Sequence, residues 1–222
     1  MRRFASAFRL RASASVSGQA GLAARLAAQG LRLATRALAI GDEAAFPDAS
    51  EPLLRRRASG AARLAGRAAL AELGGPAAAE LPRAPGGFAL WPQGFRGSLA
   101  HDGGLAAAVA ARAADVAAVG VDVEPAQALP DEVAEIALLA GERRASVSDP
   151  MLARAIFAAK EAVYKAVNPI DGCAPEYEDI EIDLAAHCAR LGDGRALRLD
   201  YERLDIADGA RWIVVAYALV RG

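Results

Sequence analysis

The sequence predicts a mixed α/β (α+β) chain in which strands lie on both sides of a central helical stretch. Three observations carry this reading. Ser98 to His101, Leu105 to Arg112 and Val119 to Glu124 are short apolar runs separated by the turn-type stretches Asp102-Gly103-Gly104 and Ala114-Asp115. Between Asp131 and Val167 the apolar spacing becomes helical. Strand-type runs then return to the end of the chain. The 222 residues suffice for one large domain or for two small lobes sharing a core.

In chain order, residues 1–20 read as a flexible tail. They are rich in Arg, Ser and Ala, and no acidic residue precedes Asp42. An organelle-targeting segment has the same composition and stands as the alternative. An alanine-rich helix and a short strand within Gly30–Ile40 follow. Leu54, Ala58, Ala61, Leu64, Ala68 and Leu73 set a helix over 51–73, stopped by Gly74-Gly75. Residues 75–94, rich in Pro and Gly, form an irregular loop. After the three central strands, Pro125 and Pro130 close the block. Helices are expected over 131–144 and 149–167, the second ending before Pro169. The last strands cover 179–184, 196–201 and 211–220. In the final one Trp212, Val214 and Ala216 alternate with Ile213, Val215 and Tyr217, so both faces are apolar and the strand is central. No internal sequence repeat is evident. The boundaries that follow are a tail over 1–20, an N-terminal lobe over 21–118 and a C-terminal lobe over 119–222.

Composition excludes several classes. A net charge of -1 offers no general attraction to nucleic acid or to an anionic membrane. No apolar run is long enough to span a bilayer. Two cysteines, Cys173 and Cys188, make no disulfide framework and suit a reducing, cytoplasmic compartment. There is no P-loop, no Gly-rich dinucleotide motif, no nucleophile elbow and no zinc-type spacing.

Four stretches carry chemistry. In Val119-Gly120-Val121-Asp122-Val123-Glu124 the valines face a core while Asp122 and Glu124 point the other way, side by side. Adjacent carboxylates at a strand end form half of a site for a hard divalent cation. In Phe157-Ala158-Ala159-Lys160-Glu161-Ala162-Val163-Tyr164-Lys165-Ala166, Glu161 and Lys165 share one helix face, one turn apart. Either they are a surface ion pair, or Glu161 is a third carboxylate of that site and Lys165 a phosphate contact. His101 follows Trp91-Pro92-Gln93-Gly94-Phe95-Arg96-Gly97-Ser98, where a strand adjoins a Gly-rich turn suited to phosphate. A basic helix carries Arg56, Arg57, Arg63 and Arg67.

The order of these stretches resembles the larger, monomeric class of 4′-phosphopantetheinyl transferases, and within it the enterobactin-synthetase component D kind. The likeness runs from about Leu53 to Val220 and includes Leu64-Ala65-Gly66-Arg67. It implies two similar lobes related by a pseudo-twofold axis, with coenzyme A in the cleft between them. It implies Asp122, Glu124 and Glu161 as magnesium ligands, and Lys165 on the coenzyme A phosphates. His101 is implied at the 3′-phosphate, with Arg67, Arg57 and Lys160 on the coenzyme side. The expected partner is an apo acyl or peptidyl carrier protein of siderophore, polyketide or related synthesis, modified at a serine by a monomeric enzyme. The lysine and the three carboxylates would serve the transfer, with Glu161 as the base. Two positions depart from the family pattern. Ala100 stands where Ser or Thr is usual, and Asp102 where Cys or Ser is common. They favour an alternative, a weak or inactive coenzyme A or nucleotide binder of the same fold.

Overall fold

The computed structural model describes residues 16–46, 48–172, 175–207 and 209–220. Two antiparallel sheets organise it. The first holds β1 (Arg32–Ala37), β2 (Phe95–Asp102) and β3 (Leu105–Arg112) in the order β1-β3-β2. The second holds β4 (Val116–Pro125), β5 (Ile180–Asp183), β6 (Cys188–Leu191), β7 (Ala196–Ile206) and β8 (Gly209–Leu219) in the order β4-β8-β7-β6-β5. The helices are α1 (Val16–Ala27), α2 (Leu53–Glu72), α3 (Asp131–Ala137), α4 (Ala140–Ser146) and α5 (Pro150–Asp171).

The two halves share one topology. β1, α2, β2 and β3 run strand, long helix, strand, strand, with the last strand in the middle of its sheet. β4, α5, β7 and β8 repeat that order, and β5–β6 are an inserted hairpin. The repeat is one of backbone path, which explains why no repeat is seen in the sequence.

One core joins the halves. Leu105, Ala107, Val109 and Ala111 of β3 face Val119, Val121 and Val123 of β4 and Ile213, Val215 and Tyr217 of β8, with Leu22 and Leu26 of α1 filling the edge. The opposite face of β3 presents Ala106 and Ala110 to Ala61, Ala62 and Ala69 of α2 and to Leu73, which caps its end. Alanine on both faces of a central strand lets helix and sheet approach closely. The opposite face of the second sheet presents Trp212, Val214 and Ala216 to the alanine-rich flank of α5. β8 is therefore apolar on both faces and central, flanked by β4 and β7.

Several expectations are corrected. The helix expected over 131–144 is two helices, α3 and α4. Leu139 between them is extended, and its N–H donates to the Glu142 carboxylate at 2.8 Å, which starts a new helix. α5 does not stop before Pro169 but carries it in its last turn and ends at Gly172, which takes the left-handed conformation that favours glycine. β6 was not foreseen; its four residues are too few to show a period. The tail expected over 1–20 lies largely outside the described residues, and 16–20 form the start of α1. Cys173 lies outside them as well; Cys188 is a free thiol. No helix among the described residues is long and apolar enough to cross a membrane.

Gly120 sets the closest approach of α5 to β4. A Cβ there would lie 2.0 Å from the Ala162 carbonyl oxygen and 2.6 Å from the Ala166 nitrogen. Those are backbone atoms and cannot move aside singly. Gly120→Ala is expected to destabilise the protein by about 1–3 kcal/mol or more through overpacking. Gly141→Ala, in α4 where an added Cβ meets nothing, is expected to gain about 0.5–1 kcal/mol. Urea unfolding of both variants measures the contrast.

Candidate active site

β4 and α5 form the acidic wall of the site. Gly120 lets the helix lie against the strand, and Arg154, Glu161 and Lys165 then repeat every seven and four residues along the helix face that meets Asp122 and Glu124. Lys165 Nζ donates to Asp122 Oδ1 at 2.5 Å, and Arg154 Nη1 donates to Glu124 Oε2 at 2.7 Å. The Glu161 Oε1 atom accepts from the hydroxyl of Tyr177, which sits in a short 3-10 turn before β5.

Asp122 is the focus. Only 4% of it is exposed, and its Oδ2 is buried with no hydrogen-bond donor. Burial pushes its carboxyl up to about 7 against the opposing pull of Lys165, with Glu124 and Glu161 adding to the rise. Burial likewise raises Glu124, in part offset by Arg154. Burial works against the Lys165 ammonium, yet Asp122, Glu161 and Glu124 raise its pKa overall, so it is charged at neutral pH. Burial, then Glu161, raises the Tyr177 phenol and keeps it a donor.

The three carboxylates named from sequence thus lie in one electrostatic neighbourhood, but not as a preformed ligand set. Each is turned to its own cationic or hydroxyl donor. Among the described residues no group of three or more His, Cys, Asp or Glu side chains could hold a metal ion as arranged. The physical reason is that carboxylates so close repel one another and take the nearest donors. The donor chemistry still fits a hard divalent cation, because the hydrogen bonds found use one oxygen of each carboxylate and leave Asp122 Oδ2 without a partner.

Beside this wall lies a cleft of about 510 Å³, lined by Arg55, Ser59 and Arg63 of α2, Ser98 and His101 of β2, Tyr164 and Lys165 of α5, and the loop from Arg83 through 86–89. Its cations suit a multiply charged anion. Arg63 packs over the Phe46 ring with 4.0 Å to the centroid, and burial lowers its pKa to about 10, helped by Arg83 and Arg67. His101 faces the cleft, and desolvation together with Lys165 and Arg55 holds it below the ordinary imidazole range.

Some sequence-predicted contacts lie elsewhere. Lys160 is fully buried, with Nζ 2.9 Å from Glu142 Oε2 and 2.9 Å from the Tyr177 carbonyl, so it does not reach the cleft. Arg67 donates to the Ala79 carbonyl at 2.7 Å, and Arg57 pairs with Glu43 at 3.0 Å; neither lines the cleft. Helical phase decides this for Arg57, which falls off the face that Arg55, Ser59 and Arg63 share at a spacing of four; Arg67 continues that spacing one turn further, but its guanidinium is taken by the Ala79 carbonyl. Gly66 beside Arg67 has a packing reason, since a Cβ there would meet Leu81 at 2.7 Å and Leu99 at 3.0 Å.

The two departures also change meaning. Ala100 points into the shared core, opposite Ala107 on the neighbouring strand, so no hydroxyl from this position would face the cleft. Asp102 is neutralised by Arg211, whose Nε lies 2.8 Å from its Oδ2. Both features lose their force as signs of a decayed site. Arg55 and Arg154 were missed although their helical spacing from Arg63 and Glu161 could have shown them. Tyr177 carried no sequence signal, because only the fold brings it to Glu161.

Glu142 holds its part of this architecture from below. Its carboxylate accepts from Lys160 and from the N–H groups of Leu139 and Ile182. Glu142→Ala is expected to cost about 3–5 kcal/mol, since it strands a buried ammonium. Arg57→Ala, which breaks a half-exposed pair, is expected to cost at most about 1 kcal/mol. Denaturant midpoints of the two variants check the difference.

A family model described as the 4′-phosphopantetheinyl transferase N-terminal domain matches residues 42–111, and one described as the 4′-phosphopantetheinyl transferase superfamily matches residues 118–212. The chain is 38% identical over 139 residues to the 4′-phosphopantetheinyl transferase Svp of Streptomyces mobaraensis, covering 58% of this chain and 56% of that protein. It is 38% identical over 131 residues to the transferase Npt of Nocardia iowensis, covering 58% and 59%. To the transferase PptT of Mycobacterium tuberculosis it is 40% identical over 121 residues, covering 52% of each. The matches span just over half the length of these curated relatives. The two family matches follow one another along the two topological halves and together take in the cleft and its acidic wall: the chain belongs to the 4′-phosphopantetheinyl transferase superfamily.

Proposed function

We propose that this protein transfers the 4′-phosphopantetheine arm of coenzyme A to a serine of an apo acyl or peptidyl carrier protein, releasing 3′,5′-ADP. The observation that carries the reading is the junction of two features. A cleft lined by His101, Arg55, Arg63 and Arg83 opens beside Lys165, and Lys165 is paired with Asp122, whose second oxygen is buried without a donor. A phosphate-rich ligand suits the first feature and a hard cation the second.

On this reading His101 and the cleft arginines take the 3′-phosphate and Lys165 holds pyrophosphate charge. Asp122, Glu124 and Glu161 would hold magnesium, which when bound neutralises charge on the leaving 3′,5′-ADP. The serine hydroxyl of the carrier attacks the phosphorus bearing the pantetheine arm. The new P–O bond forms as the bond to 3′,5′-ADP breaks, and the hydroxyl proton passes to Glu161 directly or through water. Both topological halves contribute to the cleft within one chain, which supports a monomer. The two-cysteine composition supports a cytoplasmic setting.

Incubation with coenzyme A, magnesium and a panel of apo carriers is expected to add one phosphopantetheine arm to a carrier, read by intact mass. Unchanged mass across the panel overturns the reading. Chelation is expected to abolish transfer, and added magnesium to restore it. Glu161→Gln is expected to lower kcat by about 10²-fold or more while coenzyme A affinity falls far less. Lys165→Ala is expected to lower both, because a phosphate contact exists before and during transfer. Calorimetry and steady-state rates separate the two.

A further inference from the structure

Lys160 and Glu161 are neighbours on α5 but serve different surroundings. Lys160 turns into the protein, fully buried, and joins Glu142 on α4 to the Tyr177 carbonyl, 2.9 Å from each. Glu142 is in turn held by the N–H groups of Leu139 and Ile182 at 2.8 and 2.9 Å. The Tyr177 backbone is therefore fixed by a buried, fully engaged ion pair. Its ring packs toward Phe157, 6.1 Å between centroids, and its hydroxyl donates to Glu161 Oε1.

We propose that Lys160 and Tyr177 are positioning residues for Glu161: the buried lysine anchors the Tyr177 backbone, and the Tyr177 hydroxyl fixes the Glu161 carboxylate in the site. The inference rests on the reading of Glu161 as a working carboxylate. It gives the motif lysine a role that its burial permits, where coenzyme contact is not. A glutamate has several free torsions, and ordering it at the moment of binding costs free energy that a rigid outer donor removes in advance. Hydrogen bonds of this kind to metal-binding and catalytic carboxylates are worth about 10–100-fold in metal affinity or activity.

Tyr177→Phe tests this, because it removes only the hydroxyl and keeps the ring and the carbonyl bonded to Lys160. Titration calorimetry with MgCl2 alone is expected to show about tenfold weaker binding. Steady-state transfer is expected to show kcat lowered by about tenfold with KM for coenzyme A nearly unchanged. The melting temperature is expected to fall by no more than about 4 °C. In a Glu161→Gln background, adding Tyr177→Phe is expected to cause no further loss of kcat, because the hydroxyl acts through Glu161. Lys160→Met combined with Glu142→Met removes the buried pair without leaving a lone charge, and is expected to show the same split between kcat and KM. An active wild type whose Tyr177→Phe form keeps its magnesium affinity and kcat overturns the proposal, as does a lowered melting temperature with kcat unmoved. A wild type that neither binds MgCl2 nor modifies any carrier is a different outcome: it removes the working role of Glu161, and the positioning role with it.

Discussion

The close contact of α5 with β4 is the constraint on which the rest depends. At Gly120 the strand backbone lies against the Ala162 carbonyl with no room for a side chain. One turn along the helix from Ala162, Lys165 reaches Asp122, and toward the helix start Arg154 reaches Glu124. A larger residue at 120 would push the helix away and break a charge register held within hydrogen-bonding distance. The glycine between two valines in the motif is thus a packing requirement with a chemical consequence. The same contact commits α5 to bury its alanine flank against the sheet and turn its polar face to the cleft.

The electrostatics of the site follow from that geometry. Asp122 is deep enough that its charge is unfavourable without a partner, and Lys165 compensates it through one oxygen only. The remaining oxygen is the least satisfied carboxylate position in the acidic wall. Across the cleft, Arg63 is kept in place by the Leu81 and Ser59 carbonyls and by the Phe46 ring, so its charge is presented in a fixed position. Negative charge on one wall and positive charge on the other polarise the site.

Much of the fold was legible in the sequence. The alternating apolar residues of β8 marked it as central, and the strand pattern of 98–124 gave β2, β3 and β4 close to their observed bounds. Failures came where local pattern and tertiary context disagree. The 131–144 stretch reads as one helix by spacing, but Glu142 turns back to the Leu139 N–H and divides it. Pro169 reads as a helix stop because it has no N–H to donate, yet α5 carries it in its last turn and runs on to Asp171 before the left-handed Gly172.

By itself the sequence determined local placements: Asp122 and Glu124 on one strand face, Glu161 and Lys165 one helical turn apart, and His101 at a strand end. Alternation and helical spacing are local properties, so these pairings survive in any fold that keeps the elements. Only the tertiary structure decided the contacts between elements. It sent Lys160 into the core, placed Ala100 there too, paired Asp102 with Arg211, and brought Tyr177 to Glu161. It also chose Arg55 and Arg63 for the cleft over Arg57 and Arg67. The reason is physical: which side of a helix meets its neighbour, and which distant residue fills the space beside it, depend on how whole elements pack.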